Sequence, residues 1–301
     1  MLGAGGHVVV GVDGSPRSVE AARFAAEEAA VRGLELVVVH AGSRGLGQRP
    51  RDVAAAGALT ASGQALVDEV LSQVRVGATT TVRTVVEAGP VAALLAAVSG
   101  DAVMVVLGQH RLDLADGRPA GHVASELGAR ARCPVVVVPA GWTRTLARGA
   151  HLGPRPVVVG VGGTGSAAAV LQLAHEEAEL RRTSVLVLHV STRADATTSR
   201  QAMSARALAQ VMADQHRGHP DVAIDYRVVP GGTLLAWVDA SARAGLLVLG
   251  RPRSARGDRA WQQSVARALL HRTRCPLVVV PAVTRSAPED RLRRGAPALV
   301  S

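Results

Sequence analysis

The chain has 301 residues, 48% of them hydrophobic, and a formal net charge of +10 in which all 34 basic residues are arginine. That length fits about two compact domains, and that apolar content suffices to fill their cores. The apolar runs break at Gly, Pro or Asp well short of the ~20 residues of a membrane helix, and no basic region followed by an apolar stretch opens the chain, so neither membrane insertion nor export is expected.

An apolar run at 7–12 predicts the first strand. Ser15 followed by Pro16, an N-cap and a first-turn proline, starts a helix over 16–32 that Gly33 closes. A strand at 34–40, a helix at 53–74, an alternating strand at 79–87, a helix at 89–99, a strand at 102–107, a helix near 118–131 and a strand at 134–138 follow. Residues 141–154, rich in Gly, Pro, Arg and Thr and lacking either period, read as a linker. The pattern then returns, with strands near 156–161, 184–190, 222–229, 245–249 and 276–280 and helices near 165–181, 197–217, 233–243 and 258–272. Residues 283–301 read as a mobile tail. Alternation of this kind, with Val-rich runs too apolar to have a wet face, predicts α/β domains with parallel sheets covered on both faces.

The two series are copies of one unit. Arg132-Cys133-Pro134 before Val135–Val138 returns as Arg274-Cys275-Pro276 before Leu277–Val280, an offset of 142 that also relates Gly108 to Gly250. At the front of each copy the offset is 149, relating Val9-Val10-Gly11 to Val158-Val159-Gly160 and His40 to His189. The second copy is therefore shorter by 7 residues, lost where the first carries the Gly- and Arg-rich stretch 42–51. The domains are placed at 1–140 and 155–282. The two cysteines, at equivalent positions before strand-opening prolines, are expected to be buried thiols in a reducing cytoplasm.

Val8-Val9-Val10-Gly11-Val12-Asp13-Gly14-Ser15, the Val38-Val39-His40 strand end, Val105-Val106-Leu107-Gly108 and Cys133-Pro134 before Val135 together resemble the universal stress protein family in its tandem form. The resemblance implies two doubly wound, Rossmann-like domains, each a five-stranded parallel sheet of order 3-2-1-4-5. A crevice then opens at the carboxyl ends of strands 1 and 4, where chain direction reverses. It also implies pairing of the two strand-5 edges within the chain, which covers edges that would otherwise recruit other chains. A homodimer remains open.

In ATP-binding members of that family the loop after strand 4 follows Gly-x2-Gly-x9-Gly-Ser/Thr, bringing backbone N–H groups to the phosphates. Here the first copy supplies Gly108, Arg111, Gly121 and His122, and the second supplies Gly250, Arg253, Gln263 and Ser264. Neither set is intact. Asp13 matches the acid that contacts the nucleotide, and Gly162 is its counterpart. Ala41 falls where the backbone lines the adenine. Gly11, Val12, Leu107, Val190 and Val265 complete the candidate binding set. The implied ligand is ATP or AMP, with an eroded, empty pocket as the alternative.

Gly160-Val161-Gly162-Gly163-Thr164-Gly165 spells a dinucleotide fingerprint, but no acid stands at the end of the next strand to hold a ribose, so a tight turn is favoured. His216 and His219 lack the further ligands of a metal site. Charge is unequal: residues 1–150 hold 14 Arg against 13 acids, and residues 151–301 hold 20 against 11. Arg251, Arg253, Arg256, Arg259, Arg267, Arg272 and Arg274 concentrate the excess around the second phosphate loop, as a solvated basic face or an anion site. Aromatics at 2% disfavour single-stranded nucleic acid, while duplex binding through phosphates stays open. No motif demands catalysis. The expected function is a non-catalytic stress-response module that senses an adenine nucleotide or presents a surface to a protein partner, the alternatives being a ligand-free scaffold or a slow ATP hydrolase.

Overall fold

In the computed structural model the described residues are 6–42, 53–110, 122–149, 153–160, 167–191, 206, 209–210, 212–214, 217–230, 233–252 and 258–281. The expected tail at 283–301 and most of the helix expected at 197–217 lie outside them. The first copy comprises β1 (His7–Gly11), α1 (Pro16–Arg32), β2 (Glu35–Gly42), α2 (Val53–Ser72), β3 (Val82–Ala88), α3 (Val91–Val98), β4 (Ala102–Gly108), α4 (His122–Arg130) and β5 (Val135–Val138). After α5 (Trp142–Gly149) the second copy comprises β6 (Val157–Gly160), α6 (Ala167–Leu180), β7 (Val185–Ser191), β8 (Ile224–Pro230), α7 (Thr233–Ser241), β9 (Leu246–Gly250), α8 (Asp258–Gln262), α9 (Val265–Leu269) and β10 (Leu277–Val280).

All ten strands form one sheet of order β3-β2-β1-β4-β5-β10-β9-β6-β7-β8. Each half has the order 3-2-1-4-5, and its neighbours pair in parallel. The halves join where β5 and β10 run antiparallel, with Val137 facing Leu277, Val136 facing Val278 and Val135 facing Val279. That register is itself twofold symmetric under the offset of 142. A pseudo-twofold axis therefore passes between Val136 and Val278, and each strand covers the other's open edge.

Central strands carry continuous apolar runs because helices cover both of their faces: Val8, Val9 and Val10 of β1 and Leu246, Leu247 and Val248 of β9 are fully buried. The outermost strands are far less covered. Arg83 and Glu87 of β3 and Tyr226 and Val228 of β8 are exposed. Helix α1 begins as its sequence requires, the Ser15 hydroxyl accepting from the Ser18 N–H at 3.2 Å with Pro16 in the first turn. It ends at Gly33 in the left-handed region (φ 64°), with Leu34 N–H returning to Ala29 O at 2.9 Å.

Two local expectations change. The joining segment contains helix α5, whose first turn is capped from elsewhere: Glu20 of α1 accepts from the Thr143 N–H at 3.0 Å and from its hydroxyl at 2.6 Å. Trp142 is buried beside that cap. The helix expected over 258–272 is two short ones, because Ser264 adopts an extended conformation (φ −77°, ψ 147°) and caps α9 from its own hydroxyl.

Helices α1 and α6 meet across the pseudo-axis through charge. Arg32 bonds Glu28 one turn back and, from Nη2, Glu177 Oε1 at 2.6 Å; Arg181 bonds Glu177 and Glu28. Glu28 and Arg32 map onto Glu177 and Arg181 at the offset of 149, so the four side chains close a symmetric ring. Both carboxylates and Arg32 are buried, and Arg181 lies 5.9 Å over the Phe24 ring. Burial first, and then the charge of Glu177, push the Glu28 carboxyl above its ordinary range despite Arg181 and Arg32. Burial acts against the Arg181 charge too, but Glu177 and Glu28 outweigh it and hold the guanidinium above its usual value.

Candidate functional site

The first crevice lies where β1 and β4 end side by side and their connections leave in opposite directions. Two glycines let the elements approach. A Cβ on Gly108 would sit 2.7 Å from the Arg17 carbonyl oxygen, so the end of β4 packs directly on the first turn of α1. A Cβ on Gly11 would meet Leu107 at 2.9 Å and Leu95 at 3.2 Å. Both are therefore demanded by packing as well as by the sequence pattern. Val12 and Leu107 are core residues, Val12 donating to Val39 O at 2.9 Å.

Asp13 emerges from this floor with its carboxylate exposed. Its Oδ1 accepts from the Ser15 N–H at 3.0 Å, and its Oδ2 lies 3.7 Å from His110 Nε2. His110 Nδ1 accepts from Arg17 at 3.3 Å, which places the proton of the neutral ring on Nε2, toward Asp13. Partial burial works against the Asp13 charge, yet the Ser15 hydroxyl and N–H, the Ser18 hydroxyl and His110 hold the carboxyl below its ordinary 3.8. His40 donates from Nδ1 to Val12 O at 2.9 Å and so fixes the strand end behind Asp13. An acid, an imidazole and a guanidinium thus share one rim. The sequence motifs single out neither Arg17 nor His110, because the family pattern leaves both positions free.

Of the other candidates in the first copy, Ala41 is half-buried in β2 opposite Glu87. His122 is the exposed first residue of α4, with Nδ1 3.5 Å from Glu126 Oε2. Arg111 and Gly121 lie outside the described residues.

In the second copy Gly250 ends β9, Val190 is half-buried in β7, Ser264 caps α9 by accepting from the Arg267 N–H at 3.1 Å, and Val265 opens that helix. Gly162 and Arg253 lie outside the described residues, as do Arg256 and the histidine pair's first member, His216. The side chain of Arg259 is also outside the description.

The basic cluster requires a correction. Arg251, one residue past Gly250, donates across the copy boundary to Ala129 O at 2.7 Å and Ala131 O at 3.2 Å, and burial lowers its pKa. Arg267 Nε donates to Ser125 Oγ at 3.3 Å. Trp261, the bulky neighbour of both, donates to Ser125 O at 3.0 Å and covers Gly128, where a Cβ would stand 2.6 Å from its ring. These groups close the seam with α4, so Arg251 and Arg267 do not present an anion site. Arg272 and Arg274 remain exposed.

A second hollow, of about 310 Å³, opens between the copies beside the ion-pair ring, walled by Phe24, Val31, Trp142 and Leu180. Both cysteines are buried and neither is in a disulfide, and burial pushes the Cys275 thiol up to about 12, so it stays protonated and inert. Among the described residues no group of three His, Cys, Asp or Glu could hold a metal ion, and no helix is long and apolar enough to cross a membrane.

Comparison with known proteins bears on this architecture directly. A model of the universal stress protein family matches residues 6–139 and again residues 154–281. This chain belongs to the universal stress protein family. Two matches in one chain show the tandem form. A universal stress protein of Mycobacterium tuberculosis (strain H37Rv) is 30% identical over 258 residues, covering 81% of this chain and 85% of its own length. A second from the same strain is 29% identical over 297 residues, covering 90% and 96%. Among solved structures, a universal stress protein from Archaeoglobus fulgidus superposes with a TM-score of 0.67 over 92% of this chain and 98% of its own at 13% identity, a likeness of fold.

Proposed function

We propose that the first crevice binds an adenine nucleotide, ATP or AMP, and that this tandem universal stress protein acts as a non-catalytic module responding to that ligand. The observation that supports the reading best is the trio of Asp13, His110 and Arg17 at the switch point between β1 and β4, with separations of 3.7 and 3.3 Å. Asp13 is ionised and suits a ribose hydroxyl as hydrogen-bond acceptor. Arg17 beside it offers guanidinium donors to a phosphate, compensating for the glycine that Arg111 replaces.

The second crevice is assigned a different role. Gly162 stands where the first copy has Asp13, and Arg251 is engaged in the seam, so the second copy serves as a support and a presenting surface for a protein partner. The domain limits follow the copies, at 1–140 and 155–282, and the protein is assigned to the cytoplasm.

Calorimetry with AMP and with ATP tests the proposal. Binding should weaken about tenfold or more in Asp13→Ala, the loss of one hydrogen bond to a charged group. No heat with the natural chain at millimolar nucleotide would remove the nucleotide reading and leave the ligand-free scaffold. Phosphate release above a buffer blank would instead favour the hydrolase.

A further inference from the structure

The residues that leave β4 are held by the other copy. Gln109 N–H donates to Val138 O at 2.7 Å within the first sheet, but its buried side chain donates from Nε2 to Thr273 O at 3.3 Å and to Thr273 Oγ1 at 3.2 Å. The next residue, His110, has its carbonyl bound by His271 Nδ1–H at 2.6 Å. His271 and Thr273 lie in the turn between α9 and β10, more than 160 positions along the chain. The imidazole of His110 meanwhile faces Asp13 and Arg17. One residue therefore carries the crevice on its side chain and the second copy on its backbone.

We propose that His271 and Thr273 of the second copy are positioning residues for the first crevice, so that occupancy of that crevice is coupled to the seam between the copies. The proposal rests on the nucleotide reading for the identity of the occupant, though not for the tie itself. Its physical basis is twofold. Gln109 and Thr273 are both buried, so water cannot replace their bonds when the strand end shifts, and movement of His110 is correspondingly opposed. Coupling is also reciprocal: a ligand that favours one placement of His110 must favour the matching placement of residues 271–273 by the same free energy.

The pseudo-symmetry shows that this arrangement is built into the fold. The offset of 142 relates Gln109 to Arg251 and Ala131 to Thr273. The equivalent tie exists, since Arg251 donates to Ala131 O at 3.2 Å. Each strand end after the repeated glycine, Gly108 or Gly250, is thus anchored in the opposite copy, but the anchored loop of the first copy brings a histidine to an ionised aspartate.

The test uses the full chain and two variants, His271→Ala, at a partly exposed position, and the near-isosteric Thr273→Val. Amide hydrogen exchange without ligand should show the Gln109 amide opening about tenfold faster in His271→Ala while the β1 and β2 amides are unchanged, with a smaller change in the same direction in Thr273→Val. AMP titration should show affinity lowered about fivefold or more in His271→Ala, at the lower end of typical coupling. In the natural chain, AMP should slow exchange at Thr273 and Arg274, an effect that a merely structural contact would not produce. Natural binding with unaltered affinity in both variants overturns the coupling. Absence of binding to the natural chain overturns the nucleotide reading instead, and the tie is then judged by the ligand-free Gln109 exchange, whose constancy would refute it.

Discussion

Around the pseudo-twofold axis the two copies meet as equals, whereas at their crevices their sequences have diverged. The ring of Glu28, Arg32, Glu177 and Arg181 repeats its members at one fixed offset and satisfies each charge by the same partner types. The crevices do not repeat. Asp13, His110 and Arg17 gather in the first, whereas the sequence of the second copy has Gly162, Pro252 and Ser166 at the equivalent positions. A seam of this kind constrains both copies, because each charge there must suit the partner groups of the other copy. A crevice is free to vary alone once the fold is secured elsewhere.

The largest test of this contrast is to break the symmetric ring. Glu177→Ala leaves two buried guanidiniums with one carboxylate, and should destabilise the chain by about 3–5 kcal/mol in a denaturant titration. A loss below about 1 kcal/mol, the scale of an exposed pair, would show that the ring is not what joins α1 to α6.

In the second copy, Arg251→Met should cost about 1–3 kcal/mol, since it removes two bonds to buried carbonyls without stranding a charge. It should leave the affinity for inorganic polyphosphate unaltered. Equal stability with weakened polyphosphate binding would restore the anion site in the second copy.

The smallest effect concerns pH. Glu28 has a folded pKa above its ordinary 4.5, so between 4.5 and the raised value the folded state holds more protons than the unfolded one. The contribution of this group is fully present below 4.5 and declines as pH rises through that window. Subtracting the stability–pH curve of Glu28→Gln from that of the natural chain should isolate a falling slope there. Parallel curves would mean that the two carboxylates of the ring do not oppose each other.

Much of the architecture was legible from residues alone. Runs such as Val8–Val10 and Leu246–Val248 read as strands buried on both faces, and the alternating run at 79–87 read as a strand whose outer place came only with the strand order that the family resemblance implied. The edge argument for Val135–Val138 and Leu277–Val280 agrees with their antiparallel pairing. Asp13 was found by motif. His110 was not, because its relation to Asp13 and Arg17 depends on how closely Gly108 lets β4 approach α1. The arginine cluster misled for a related reason: charge density along the chain carries no record of Ala129, Ala131 and Ser125 lying across the seam.

Periodicity, capping residues and the internal repeat determined which segments are helices and strands and that one unit occurs twice, while the motifs at 8–15, 38–40, 105–108 and 133–138 carried the family resemblance. These are local or self-similar properties, set by backbone geometry and apolar pattern. Tertiary structure alone decided that Glu20 would cap α5, that Ser264 would divide the last helix, that four charges would close a ring, and that His271 and Thr273 would hold the edge of a crevice in the other copy. Each of those is an exchange of hydrogen-bonding partners between segments distant in sequence, and the energy of such an exchange depends on burial and distance that no local stretch of residues contains.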